Sequence, residues 1–364
     1  MTTRNKHGLR LLLIVGDYRP AHDPDFGEIL LARLLRTRHK IVGLILVEGD
    51  TLIGPVRRRG APPVLLLPPA LQGPRRSIAT ATREAPLDPS LAAWLRSLAD
   101  LRPDLGICFY GHWIPPQVLT IPPRGFLNYH PGPLPELRGM EPDTFAVLEG
   151  RAYTHGTVHL MSEDYDAGPI VLRTSPVRLG RYTTPFSLIR TLTRKGVGTL
   201  VRAVHALAAG TAVLEPQDSS RVTLATRRRA VREALLDLAR DDSVMVGRRL
   251  RAFRGQDAGI ELRAELAGQV YPVLDAETWV GSFPGRPGEL LGRYAGPGRF
   301  AGGPVIRIRD GLAVLCVDQP LTEDAAGREP ANPPSRPLIR GGPRRRRTRL
   351  AAVLRSLPRG ENGP

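Results

Sequence analysis

Two cysteines, Cys108 and Cys316, are all that 364 residues contain, one in each half of the chain. That excludes a disulfide framework and fits a reducing compartment, so a cytoplasmic location is expected. No run is long enough to cross a membrane. The apolar stretch Leu9 to Val15 is too short for a span and lacks a small-residue cleavage site, so it reads as a first buried strand. No G-x-G-x-x-G follows that strand, and there is no P-loop, H-E-x-x-H, G-x-S-x-G or C-x-x-C. These absences remove dinucleotide binding, nucleoside triphosphate hydrolysis, zinc proteolysis and nucleophile-elbow hydrolysis as first readings. No internal repeat is visible, and no cluster of metal-ligating residues. His155 and His159 lie four apart, but on a turn and a strand rather than a helix, which argues against a metal pair.

What the sequence does have is positive charge, +17 overall. From Ser335 to Pro364 nine Arg and one Glu contribute +8, leaving +9 for the other 334 residues. Arg outnumbers Lys heavily amid much Ala, Gly and Pro, so a composition bias explains part of the excess. Contact with RNA through the Arg clusters and the tail is therefore open rather than established. Arg57 to Arg59 and Arg227 to Arg229 are each readable as solvated surface or as a site for an acidic ligand.

Apolar spacing predicts strand Leu9 to Val15, helix Phe26 to Leu35 and strand Lys40 to Val47, a βαβ unit that implies a parallel sheet. Residues 48 to 88 read as irregular. A helix over Pro89 to Leu101 leads to a strand at Asp104 to Tyr110 and another at Phe126 to Tyr129. Beyond a proline-rich loop come a helix from Thr144, strands Thr157 to Met161 and Ile170 to Thr174, and helices ending at Gly210. Composition changes near residue 216. Helical runs at Ala230 to Leu238 and Asp242 to Phe253 then precede short strands at Ile260 to Leu266, Val270 to Leu274, Pro304 to Ile308 and Leu312 to Val317. Arg309-Asp310-Gly311 suggests a type I′ hairpin. The expected organisation is an α/β catalytic domain over 1–215, a linker over 216–240, a small β-rich domain over 241–330 and a basic, disordered tail over 331–364.

The chain is organised around Phe126-Leu127-Asn128-Tyr129-His130-Pro131-Gly132-Pro133-Leu134-Pro135-Glu136-Leu137-Arg138-Gly139. Alternation on a strand sends Asn128 and His130 to one face and Tyr129 to the other, where a sheet opens into a loop. In open α/β sheets ligands bind at that edge. A third group, Asp166, lies 36 residues beyond His130 in Asp166-Ala167-Gly168-Pro169-Ile170. Asn-x-His-Pro, Leu-Pro-x-x-Arg-Gly and Asp-Ala-Gly-Pro-Ile, preceded by Tyr110-Gly111-His112-Trp113-Ile114-Pro115, resemble the 10-formyltetrahydrofolate-dependent formyltransferases in order and spacing. The resemblance runs from about residue 10 to 210, with a fainter extension to about 318. Arg248 to Phe253 and Pro287 to Leu291 resemble parts of the small C-terminal β-barrel of methionyl-tRNA formyltransferases.

That resemblance implies a Rossmann-like formyltransferase domain and a barrel-like second domain. It implies 10-formyltetrahydrofolate as formyl donor, with no metal. It also assigns catalytic roles to Asn128, His130 and Asp166. Chemistry agrees: formyl transfer to an amine builds negative charge on an oxygen and must move the amine proton. An amide donor, an imidazole and a carboxylate supply both needs. Read as residues alone, Asn128 and Asp166 also suit plain turn chemistry. Tyr110, Gly111 and Ile114 are expected at the folate slot or as packing. Pro131, Leu134, Arg138 and Gly139 form the expected substrate loop, in which Arg138 is either loop structure or a substrate contact.

The chain departs from methionyl-tRNA formyltransferases at Gly132-Pro133, where that family usually has Ser-Leu. The usual Tyr-x-x-(Lys/Arg) pattern is also indistinct near Thr223 to Arg232. These departures leave the chemistry in place and bear on the acceptor. Initiator methionyl-tRNA is the leading acceptor and an amino-sugar nucleotide or other small amine the alternative. More remote is a formyltetrahydrofolate hydrolase, whose usual N-terminal regulatory domain has little room in the roughly eight residues before the first strand.

Overall fold

The computed structural model describes residues 8–16, 26–46, 63–71, 88–110, 113–253, 259–296 and 298–318. Arg57 to Arg59, Gly111 and the tail from Ala331 lie outside them. The chain forms two compact units, one of Met1–Asp143, Ala152–Arg178 and Phe186–Thr226, the other of Thr144–Arg151, Leu179–Pro185 and Arg227–Pro364.

In the first unit, strands β1 (Arg10–Gly16), β2 (Lys40–Leu46), β3 (Val64–Leu66), β4 (Leu105–Tyr110), β5 (Phe126–His130), β8 (Thr157–Leu160) and β9 (Ile170–Arg173) make one sheet in the order β3-β2-β1-β4-β5-β8-β9. Two-residue strands complete the count: β6 (Arg138–Gly139) pairs with β11 (Leu224–Ala225), and β7 (Tyr153–Thr154) with β10 (Val177–Arg178). Pairing is parallel from β3 to β5 and antiparallel from β5 through β8 to β9. The parallel part reads as near-continuous apolar runs because it is covered on both faces. Leu11 and Leu13 of β1 pack toward helix α1 (Phe26–Leu34), while Leu12 and Ile14 pack toward helices α2 (Pro89–Asp100) and α3 (Pro116–Leu119). Asp88 caps α2 by accepting from the backbone N–H of Ser90 and Leu91, and Pro89 follows at the first helical position. Helix α4 (Pro142–Leu148) comes next in the chain.

Helix α5 (Pro185–Ala209) is one unbroken helix where several were expected. Val197, Leu200 and Val204 on it join the cluster that contains Leu127 and Tyr129 of β5. The Tyr129 hydroxyl donates to the Leu192 carbonyl at 2.6 Å. A methyl group at Gly156 or Gly196 would run into the Tyr129 ring, so the phenol fills the space those two glycines leave. Strand β5 is thereby keyed to its helix.

The second unit carries β12 (Leu235–Leu236), β13 (Arg263–Leu266), β14 (Gln269–Val280), β15 (Leu290–Arg293), β16 (Pro304–Ile308) and β17 (Gly311–Val317), in the sheet order β12-β13-β14-β17-β16-β15. Helices α6 (Arg227–Glu233) and α7 (Ser243–Phe253) belong to it.

Several expectations are corrected. The stretch read as irregular holds β3 and a short helical turn, Pro69–Leu71. The helix expected to Leu238 stops at Glu233, because Leu235 and Leu236 pair with β13 and Leu236 is buried there; strand pairing overrides helical periodicity. The strand expected over Val270 to Leu274 runs on to Val280, held by β17. The Ile308–Gly311 hairpin exists, but neither Arg309 nor Asp310 has the positive φ of a type I′ turn. Gly311 serves a different end: a side chain there would strike the Trp279 carbonyl on β14.

Candidate active site

Strand β5 lies beside β4 on one edge and β8 on the other. The β5–β8 register sets Asn128 opposite His159 and His130 opposite Thr157. Directly opposed residues of an antiparallel pair share a face, so Asn128, His130 and His159 meet on one side of the sheet. The Asn128 side-chain nitrogen is 3.4 Å from His159 Nε2.

Asp166 arrives from the β8–β9 connection. Its backbone is left-handed, with φ 52, a conformation that a non-glycine residue holds only when its surroundings impose it. Its Oδ2 lies 3.5 Å from His130 Nδ1 and its Oδ1 lies 3.5 Å from His159 Nε2. The Gly139 N–H donates to Oδ2 at 2.8 Å. Gly139 has φ 111, and a Cβ there would sit 2.8 Å from the Ala225 carbonyl oxygen, so Arg-Gly at this point is a backbone requirement. Upstream, Trp113 Nε1 donates to the Glu163 carbonyl at 2.7 Å, holding the start of the acidic turn.

The His130 side chain is 4% exposed, and its Nε2 lies 2.9 Å from the Leu137 carbonyl oxygen. A carbonyl only accepts, so Nε2 carries the hydrogen, and Nδ1 is the nitrogen that faces Asp166. Burial lowers the His130 pKa, with His159 and Arg138 adding to the effect; Asp166 opposes it. Burial thus favours the neutral ring. Burial alone would raise the Asp166 pKa, but His130, His159 and the Gly139 N–H outweigh it and hold the carboxylate ionised, well below the usual carboxylate range. His159 Nδ1 lies 2.9 Å from the Leu160 carbonyl and so also carries a hydrogen. His159 Nε2 faces both the Asn128 side-chain nitrogen and Asp166 Oδ1. The Asn128 amide can offer an N–H to a ligand oxygen.

Thr157 ties the loop after β5 to the sheet: its hydroxyl donates to the Gly132 carbonyl at 2.7 Å and accepts from the Leu134 N–H at 3.3 Å. A Cβ on Gly132 would lie 2.6 Å from His130 Nε2, which accounts for glycine beneath the ring. Pro131 and Leu134 are buried, and Leu134-Pro135 is a cis peptide. The Arg138 guanidinium is taken up by Gln217, whose Oε1 accepts from Nη2 at 2.7 Å and Nε at 3.1 Å. Ile114 is buried in the core below. Of Tyr110 only the strand backbone is described. Asn128, His130 and Asp166 are thus brought together, and His159 and Gln217 join them unforeseen. Among the described residues no three His, Cys, Asp or Glu side chains are placed to share a metal ion.

The model of the Formyl transferase family matches residues 49–204. A methionyl-tRNA formyltransferase from Roseiflexus castenholzii is 36% identical over 202 residues, covering 55% of this chain and 61% of that protein. One from Pseudomonas fluorescens Pf-5 is 32% identical over 307 residues, covering 83% of this chain and 85% of that protein. Among solved structures, HypX from Aquifex aeolicus in complex with tetrahydrofolic acid shares the fold with TM-score 0.50 and 20% identity, over 84% of this chain and 43% of that one. A sugar N-formyltransferase from Shewanella shares it with TM-score 0.51 and 14% identity, over 72% of this chain and 96% of that one. With a relative matched at that identity along most of both chains, the chain belongs to the formyl transferase family.

Proposed function

We propose that the protein transfers a formyl group from 10-formyltetrahydrofolate to a primary amine, and that the amine is that of methionyl-tRNA. The observation that carries the chemistry is the shared face on which an amide donor, a neutral buried imidazole and an ionised carboxylate converge. The folate supplies the formyl carbon, and its N10 departs bearing a proton. Asn128 donates a side-chain N–H to the formyl oxygen as the amine adds and that oxygen becomes negative, a contact of a kind worth about 2.7–4 kcal/mol. His130 Nδ1 accepts the proton that the amine sheds, and Asp166 stabilises the resulting imidazolium. His130 then returns that proton to N10 as the carbon–nitrogen bond breaks. One proton leaves the amine and one reaches the folate, so no metal or covalent enzyme adduct is required. Tyr110, Gly111 and Ile114 are proposed at the folate, and the loop carrying Pro131, Leu134, Arg138 and Gly139 at the acceptor.

Support for the tRNA acceptor comes from the name carried by the Roseiflexus and Pseudomonas relatives and from the charge of +17, with Arg227 and Arg228 exposed on α6. A small amine such as an amino-sugar nucleotide is the second reading, favoured by Gly132-Pro133 in place of the usual Ser-Leu. Incubation with 10-formyltetrahydrofolate and charged initiator tRNA, an amino-sugar nucleotide or no acceptor separates the two. For tRNA, formylation should weaken steeply from low to physiological salt, because each neutralised phosphate releases counterions. Deleting residues 335–364, which removes +8, should flatten that dependence if the tail takes part. No tRNA formylation at any salt beside brisk turnover of a small amine would replace the first acceptor with the second. Donor breakdown at full rate without any amine would replace both with hydrolysis.

A further inference from the structure

We propose that Gln217 is a positioning residue for this site: its side-chain amide bridges the Asp166 and Gly168 carbonyls and so holds the Asp166 carboxylate between His130 and His159. Gln217 Nε2 lies 2.7 Å from each of the two carbonyl oxygens. Its Oε1 accepts the two Arg138 N–H groups at 3.1 and 2.7 Å. Both amide hydrogens and both oxygen lone pairs are thereby used, so the amide can take only one orientation.

The segment bearing Gln217 is itself anchored. Ile170 and Glu215 exchange backbone hydrogen bonds at 2.8 and 2.9 Å, and Arg173 grips the Glu215 carboxylate. A rigid donor is thus delivered to the backbone carbonyls of Asp166 and Gly168. That turn holds Asp166 in the left-handed region, which a non-glycine residue occupies less readily than glycine, so outside contacts help to fix it. Gln217 restrains the backbone of Asp166, the Gly139 N–H restrains its carboxylate, and Arg138 and Gly139 are consecutive in β6. The same two-residue strand therefore steadies Asp166 twice, once directly and once through Gln217.

Chemistry predicts what each substitution does. Gln217→Glu keeps the size and the Arg138 contact but turns a donor facing two carbonyl oxygens into a carboxylate that repels them. Gln217→Ala removes the bridge. The titratable and charged groups facing Asp166 are His130, His159 and Arg138, with Asp164 beside Arg138. Once Asp166 drifts from His130, the charge that supports the imidazolium is lost.

The test measures kcat, KM for the folate and ring-nitrogen NMR titration of the histidines in the full chain. Both Gln217 variants should lose about 10- to 100-fold in kcat, as outer partners of a site usually cost, with KM nearly unchanged. The His130 titration should move to lower pH in Gln217→Ala. In an Asp166→Asn background, Gln217→Ala should cost little more. A folded Gln217→Ala protein with wild-type kcat and unchanged His130 titration would overturn the proposal, as would an equal loss in the Asp166→Asn background. Should Gln217→Ala fail to fold, Gln217→Met, which keeps the length without the amide, carries the test: a loss in kcat with the same titration shift supports the clamp, and neither change refutes it. The kinetic arm rests on the formyl-transfer reading. The NMR arm does not: wild-type protein inert toward every amine would sink that reading and leave the clamp decided by titration.

Discussion

Strand β5 shows two opposite designs on its two faces. One face sends Leu127 and Tyr129 into an apolar cluster against α5, where exposure falls to 0% and 1%. The other sends Asn128 and His130 into a polar group whose members satisfy one another at 3.4 to 3.5 Å, longer than well-formed hydrogen bonds. One face is closed and tight, and the other is held slightly open. Catalytic hydrogen bonds of this length tighten in the complex with substrate. The lesson is that stability and chemistry are separated here by a single residue step along one strand.

The largest effect should come from breaking the closed face. Tyr129→Ala removes a ring seated between Gly156 and Gly196 and should cost about 3–5 kcal/mol of stability, read from denaturant unfolding. A loss below about 1 kcal/mol would show that β5 does not depend on its helix. Next comes the open face. Asn128→Ala and His130→Ala should each lower turnover at least about 100-fold while changing stability little, since they remove groups whose burial is itself costly. Near-normal rates in either folded variant would end the division of labour between the faces. The subtlest effect is on pH. Asp166 opposes the burial that lowers the His130 pKa, so Asp166→Asn should shift the acid limb of the rate profile to lower pH as it slows the reaction. An unmoved limb with full rate would reduce Asp166 to a turn residue.

Much of this face was legible in the sequence because it depends on local rules. Alternation placed Asn128 and His130 together, and the prolines after His130 marked where the strand must stop. Asp166 followed from spacing and resemblance. His159 escaped because its partnership with Asn128 exists only through the β5–β8 register, which periodicity does not encode. Spacing drew attention to His155 and His159 as a pair, whereas the relevant neighbour of His159 lies 31 residues away. Gln217 escaped for a similar reason: its partners sit 51, 49 and 79 residues upstream. Leu235 and Leu236 show the converse failure, where helical periodicity continued past the point at which a strand partner took over.

The antiparallel turn of the sheet at β5 also orders events in time. Strand β5 meets β8 across a modest stretch of chain, Asn128 reaching His159 over 31 residues, whereas β1 is tied to the start of β4 across 94. Short closures are entropically cheaper and form sooner. The antiparallel β5–β8 pair that carries Asn128, His130 and His159 can therefore gather early in folding. Gln217, however, lies beyond the 25 residues of α5, so the turn bearing Asp166 is locked only when that helix has docked. A refolding chain would acquire protected amides in β5 and β8 well before it acquired a working site.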